Sequence, residues 1–324
     1  MRGKGTSCRY LKGWPAHSMP LLVCLCANFD TGNMQKRLTA FCIFLMLITS
    51  IPAYAASENG VRSISIISDA SRTMESPDFA LTALVIELNP GWKTYWKHPG
   101  QFGLPLSMAL QKTENIRQID ILWPVPSRFT NTSMPELSVI GYADTVTLPI
   151  KIWRKASGRK SNFSAEISLG ICSDVCILHE AGIEYSEETS RNHFQGGAEI
   201  LTAALKGLPR DNPIRNGNPR ILDVAADEDN EGVLIAVCDR LENSQPWDLF
   251  ISTEDSVSFS SPPREVNRNG DTRIIGLDID MNFSSGTKWP APIGTFLEIV
   301  YRSGSDAITA RLMLKASLRT DLSC

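Results

Sequence analysis

Leu169-Gly170-Ile171-Cys172-Ser173-Asp174-Val175-Cys176-Ile177-Leu178-His179 is the stretch that decides how the chain is read. A β-favouring run over residues 163–169 leads into a close cysteine pair, and Ile183-Glu184-Tyr185 begins the run that leaves it. Three residues separate the cysteines, which permits a short-loop disulfide if a turn brings the Cα atoms within roughly 7 Å. A loop that short removes little entropy from the unfolded chain, because the stabilisation grows with loop length. The pair is therefore a poor staple and a better redox couple.

Short β-favouring runs extend on both sides. Upstream they cover residues 61–68, 80–88, 106–110, 119–123 and 145–153, divided by turn signals such as Asn89-Pro90-Gly91 and Pro124-Val125-Pro126. Pro149 points to an edge position or a bulge in the last of these. Trp92, Tyr95 and Trp96 read as core and rim packing. The segment from His98 to Pro105 is too rich in glycine and proline for helix, and residues 128–141 read as a polar loop with one aromatic, Phe129. Downstream, residues 198–205 suit a short helix and 207–219 carry the Gly, Pro, Asn and charge of a linker. Further strand-like runs at 221–225, 232–238, 247–252, 272–279, 295–301 and 307–314 follow. The predicted fold class is all-β, with one β-sandwich over residues 56–190, a linker over 191–219 and a second sandwich over 220–324.

The chain has 324 residues, 43% of them hydrophobic, enough for two buried cores. Its formal net charge is −3, but residues 1–55 hold six of the basic residues and one acid. The remainder carries 26 basic and 34 acidic residues, a net of −8, without a basic stripe. That charge balance argues against a nucleic-acid partner. There is no Gly-rich phosphate loop, no His-Glu zinc helix motif and no repeat of fixed period.

From Met34 the sequence reads Gln35-Lys36-Arg37, an apolar run over 38–51, and Ala53-Tyr54-Ala55. This is the layout of a secretory signal peptide over 34–55, cleaved after Ala55. The apolar run is shorter than the ~20 residues of a membrane anchor. Residues 1–33 fit no part of it and are expected to be a mispredicted start, with Met34 the initiator. Cys8, Cys24, Cys26 and Cys42 then drop out, leaving Cys172, Cys176, Cys238 and Cys324 in an exported, disulfide-permissive setting. Cys238 lies in an apolar run and reads as a small buried hydrophobe. Cys324 reads as a mobile terminal residue; a Cys238–Cys324 bridge is possible, but no spacing rule supports it.

Exchange chemistry needs an accessible thiolate and a second sulfur to resolve the mixed disulfide, and Cys172 with Cys176 supplies both. Asp174, His179 and Glu180 are near enough in sequence to tune the thiols. Other readings of the same residues stand beside this one. The pair can be a permanent structural disulfide, or Cys172, Cys176 and His179 can offer soft ligands to copper or zinc within a β-sandwich binding module for metal or protein. Hydrolase chemistry finds no base-and-orienter set among His98, His179 and His193.

Gly91-Trp92, the Pro99-Gly100-Gln101-Phe102-Gly103-Leu104-Pro105 loop, Trp123-Pro124-Val125-Pro126-Ser127-Arg128, Gly141-Tyr142 with Leu148-Pro149, and the Cys172/Cys176 segment together resemble the periplasmic N-terminal domain of the DsbD family of disulfide reductases, most closely its ScsB-like branch. The resemblance covers roughly residues 61–187. It implies immunoglobulin-like sandwiches and a periplasmic thiol–disulfide interchange protein, a component of a protein-disulfide reductase, with no bound cofactor. Cys172 and Cys176 would be the redox couple, taking electrons from a membrane thiol carrier of the CcdA or DsbD-core type and passing them to oxidised periplasmic proteins. By position, Cys176 would be the nucleophile and Cys172 the resolving thiol. The family's aromatic-tipped cap loop would be residues 128–141 here, with Phe129 the candidate cap and Tyr142 a neighbour. The acidic pair beside the family's cap has only Glu136 to answer it. Family members continue into a multi-span membrane domain and a thioredoxin-like domain, and neither occurs in these 324 residues, so the electrons are expected from a separate protein.

Overall fold

Branched apolar residues alternating with polar ones give each strand one face to bury, and the chain meets that demand with four sheets stacked in pairs. The computed structural model describes residues 60–68, 76–100, 103–130, 138–188, 196–213, 218–227, 232–240, 245–253, 262–278 and 293–324. The expected signal peptide over 34–55, residues 1–33 and His193 lie outside them. The first sandwich contains β1 (Val61–Ser68), β2 (Phe79–Leu88), β3 (Lys93–Gly100), β4 (Ser107–Glu114), β5 (Ile116–Ile121), β6 (Ser127–Thr130), β7 (Ser138–Ala143), β8 (Thr145–Arg154), β9 (Asn162–Cys172) and β10 (Cys176–Ser186). One sheet is ordered β1-β2-β8-β5, and the other β10-β9-β3-β7-β6 with β4 also paired to β9. Leu84, Ile86, Leu148, Ile150, Ile152, Ile167, Leu169 and Ile171 fill the space between them.

Pro149 lies in β8, between β2 and β5, and pairs with Ala83. The strand is central, but the proline's position is locally an edge. In an antiparallel ladder a residue's N–H and C=O point to the same side. The Pro149 carbonyl accepts from Leu122 N–H at 2.8 Å, just past the end of β5 at Ile121. The missing N–H therefore falls where β5 has already stopped, and no ladder bond is lost.

The described part of the connection between the sandwiches carries a helix and a short strand. Helix α1 (Gly197–Lys206) packs Leu201 against Ile67, Ala83 and Val85 on the back of the first sandwich. Beyond it, β11 (Arg210–Asp211), β12 (Arg220–Ala226), β13 (Gly232–Cys238), β14 (Trp247–Thr253), β15 (Arg264–Asn269), β16 (Thr272–Asp278), β17 (Phe296–Ser303) and β18 (Asp306–Met313) form sheets ordered β11-β18-β17-β14 and β12-β13-β16-β15. β15 carries no apolar alternation because it is an exposed edge strand. Among the described residues no helix is long and apolar enough to cross a membrane.

The mobile reading of Cys324 is corrected here, and the possible Cys238–Cys324 bridge is formed. Cys238 ends β13 and is fully buried, but it is bonded to Cys324 with Cα atoms 5.3 Å apart. Cys324 is accordingly fixed rather than mobile: its carbonyl accepts from Arg240 at 3.1 Å. The chain leading to it is held by Lys315 and Arg319 on Asp223. A disulfide between residues 86 apart restricts the unfolded chain far more than the four-residue separation of the other pair does. Replacing both Cys238 and Cys324 by serine is expected to lower unfolding stability by about 2–5 kcal/mol, measured by chemical denaturation. A loss under about 0.5 kcal/mol would show that the bond is no staple.

Candidate functional site

Strand alternation sorts the hairpin's residues before any side chain is considered. In β9, Ile167, Leu169 and Ile171 are buried in the core, so Ser168, Gly170 and Cys172 belong to the outer face of the sheet. β10 pairs with β9 in the register Cys176↔Cys172, Ile177↔Ile171, Leu178↔Gly170 and His179↔Leu169. Cys176 and Leu178 therefore share the outer face with Cys172. The two cysteines form a disulfide across the end of the hairpin, with Cα atoms 4.1 Å apart. Ser173-Asp174-Val175 turns the chain, Ser173 N–H donating to Val175 O at 3.0 Å. Cys176 is exposed and Cys172 half-buried.

β3 runs along the other side of β9, with Lys93 opposite Cys172 and Thr94 opposite Ile171. Thr94 points inward and its hydroxyl donates to Gly170 O at 2.9 Å. Tyr95 points outward, and its hydroxyl donates to Cys176 Sγ at 3.4 Å. The ring can lie flat there because glycines flank it. A Cβ on Gly103 would stand 2.4 Å from the Tyr95 ring, and one on Gly170 would stand 2.8 Å from it. Gly170 N–H donates to Leu104 O at 2.9 Å, which fastens the loop over the ring and leaves Tyr95 only 3% exposed. Desolvation raises the Tyr95 pKa, so the hydroxyl keeps its proton near neutral pH. A donor held against sulfur favours thiolate over thiol once the disulfide is reduced. Around the pair, Leu104, Val175 and Leu178 are exposed, an apolar collar of the kind that marks a docking surface.

The expected site residues separate by face. Phe129 belongs to β6, paired with Val139, on the same outer face as Tyr95 and Cys172. The Lys93 ammonium lies 5.4 Å from its ring centroid. The segment read as one polar loop over 128–141 is strand at both ends, as β6 and β7, and its centre, with Glu136, lies outside the described residues. Tyr142 is opposite Thr94 on the inward face, and its hydroxyl donates to Pro124 O at 2.8 Å. His179 alternates onto the face away from Cys176. Among the described residues, no three of His, Cys, Asp and Glu converge as a metal-binding group. Tyr95 was read from sequence as packing. The signal that could have found it is the pair of glycines, Gly103 and Gly170, needed to accommodate one ring.

Fold and site together define an all-β protein that presents a short-loop cysteine disulfide on an outer sheet face with a tyrosine hydroxyl against the exposed sulfur. Residues 70–185 match the family model described as Thiol:disulfide interchange protein DsbD, N-terminal. The first sandwich is thus a DsbD N-terminal-type domain, of a thiol–disulfide interchange family. The two-sandwich body is similar in fold to the crystal structure of the N-terminal periplasmic domain of ScsB from Proteus mirabilis, with a TM-score of 0.60 and 18% identity, covering 78% of this chain and 92% of that one. A match to surface layer protein SbsC, domains 4–9, has a TM-score of 0.18 and 13% identity over 79% of this chain and 31% of that one, too low to carry an argument. No curated protein sequence matches the chain.

The Tyr95 contact generates a prediction. In the reduced protein, Tyr95→Phe is expected to move the midpoint of the pH profile for Cys176 alkylation upward and to slow alkylation at neutral pH about fivefold to tenfold, the scale of one ordinary hydrogen bond. An unchanged midpoint would remove the hydroxyl from the chemistry.

Proposed function

We propose that the chain relays reducing equivalents in the periplasm through Cys172 and Cys176, from a membrane thiol carrier of the CcdA or DsbD-core type to oxidised periplasmic proteins, after export by the signal peptide over 34–55. The observation that carries this reading is the closed pair on an exposed hairpin end, with Tyr95 donating to the outer sulfur. In the first half-cycle a carrier dithiol is oxidised to its disulfide and the Cys172–Cys176 bond is reduced, two electrons and two protons passing to the pair. In the second, the Cys176 thiolate attacks one sulfur of a substrate disulfide, forming a mixed disulfide and releasing the other substrate sulfur as a thiolate that takes up a proton. The Cys172 thiolate then attacks Cys176 Sγ, re-forming the pair and releasing the second substrate thiol. The greater exposure of Cys176 supports its role as the attacking sulfur. No bound cofactor is required, since both electrons travel in the sulfur bonds.

Phe129 is the cap in this reading: its ring shares the outer face and rests against Lys93, whose strand position is opposite Cys172. Shielding matters because a reduced pair in an oxidising compartment is open to unwanted oxidation. Phe129→Ala is expected to speed alkylation of the reduced thiols two- to fivefold at unchanged pH midpoint; an unchanged rate would take Phe129 out of the mechanism.

The direct test is the reduction potential of the pair, by equilibration with glutathione or dithiothreitol. Working exchange proteins fall at about −120 to −270 mV, whereas structural disulfides usually lie below about −300 mV. A value in the upper range, with a mixed disulfide to a membrane thiol carrier trapped by Cys172→Ser, is the expected result. A value well below that range would make the pair structural.

A further inference from the structure

We propose that the second sandwich is a positioning domain for the redox pair: through Phe250 against Trp96 of β3, and through Asp248 on Arg128 of β6 in the same sheet, it holds β3 so that the Tyr95 hydroxyl stays on Cys176. The proposal rests on the reading of Cys172 and Cys176 as an exchange site.

β3 is thinly held by its own sheet. It pairs with β9 only at Lys93 and Thr94, and its pairing with β7 breaks between Tyr95 and Gly100. Residues 96–99, directly beyond Tyr95, thus have no ladder partner among the described residues. The second sandwich takes over there. Trp96, 1% exposed, meets Phe250 of β14 edge-on with ring centroids 6.1 Å apart. The Trp96 indole N–H has no hydrogen-bond partner among the described residues, so the ring is held by its contacts with Phe250, His98 and the Lys97 ammonium. Phe250 and Val300 are part of the first sandwich's own core. Lys97 pairs with Glu298 of β17 at 2.6 Å.

A second clamp holds β6. Arg128 donates to Asp248 Oδ1 at 3.0 Å and to Leu249 O at 2.9 Å, and its guanidinium lies 5.4 Å from the Phe250 ring centroid. Both charged side chains of this pair are nearly buried, at 10% and 11% exposure. Burial with direct hydrogen bonds makes it a specific joint rather than a screened surface contact. Between His98, Arg128, Leu249 and Leu277 a cavity of only about 20 Å³ remains, room for about one water, so the joint is close-packed. The His98 pKa is lowered to about 4, first by burial and then by Lys97, so the imidazole there is neutral and adds no charge.

The coupling follows from strand geometry. Tyr95 and Trp96 are consecutive and point to opposite faces of one strand. Any twist of β3 that loosens Trp96 from Phe250 swings Tyr95 and weakens or misaligns its contact with sulfur, which stands at 3.4 Å. Phe250 and Asp248 touch neither sulfur. They are positioning residues.

The test uses the two-sandwich protein with its pair chemically reduced and reads the pH profile of Cys176 alkylation. Phe250→Leu and Asp248→Asn are each expected to move the midpoint upward and slow alkylation at neutral pH at least threefold, in the direction of Tyr95→Phe, and to add nothing further when combined with Tyr95→Phe. Ile235→Ala, a cavity in the second sandwich's own core away from β3, should lower the unfolding temperature and leave the profile in place. The inference is overturned if Tyr95→Phe moves the midpoint while both interface variants leave it unmoved, or if Ile235→Ala moves it equally. Asp248→Asn keeps an acceptor for Arg128 and serves where Phe250→Leu fails to fold. Failure of the exchange reading appears separately, as a wild-type pair that does not equilibrate with glutathione, and the alkylation profile still reads the positioning effect in that case.

Discussion

The alternation of side chains along β3 is the constraint on which the rest depends. One strand presents Lys93 and Tyr95 to the outer face and Thr94 and Trp96 to the inner one. The outward residues meet the cysteines, and the inward residues meet the core and the second sandwich. A slip of one residue would reverse all four contacts, placing a threonine beneath the sulfur and burying a lysine in the core. The Thr94 hydrogen bond to Gly170 O locks the register at the point where it matters most.

Two opposing effects act on the sulfur of Cys176. The apolar collar of Leu104, Val175 and Leu178 lowers the local dielectric when covered, which disfavours a thiolate. The Tyr95 hydroxyl opposes this as a neutral donor already in place, without importing a buried charge. Asp174 and Glu180 are both exposed, so their repulsion is screened by solvent and salt while the Tyr95 contact, at 3% exposure, is not.

What the sequence revealed and what it hid divide along physical lines. The sandwiches were legible because buried strands announce themselves by apolar alternation, and the cysteine pair because its spacing is local. β15 was hidden because an exposed edge strand, Arg264–Asn269, has no apolar face. β3 was hidden because its aromatics, Pro99 and Gly100 read as turn and packing residues. The Cys238–Cys324 bond was hidden because its partners are 86 residues apart, and nothing local encodes a distance of 5.3 Å between their Cα atoms. Tyr95 was misread as packing for a related reason. Its role comes from a neighbour 81 positions away, reached only after two glycines clear the space.

The same bond in two surroundings serves two ends. Cys238 is fully buried, and its disulfide closes a long stretch of chain, so it strongly restricts the unfolded state, with only the half-buried Cys324 to meet an incoming thiolate. The Cys172–Cys176 bond closes a hairpin end that eleven residue pairs of β9 and β10 already hold, so it adds little to the fold. Opening it leaves the ladder intact, and the two sulfurs remain opposite each other to close again. A disulfide that the fold does not need is one that the fold can lend out, provided the sulfur returns to the same place. That condition falls on β3 and on the second sandwich behind it, because the hairpin sets where Cys176 begins and only Tyr95 answers for what it meets there.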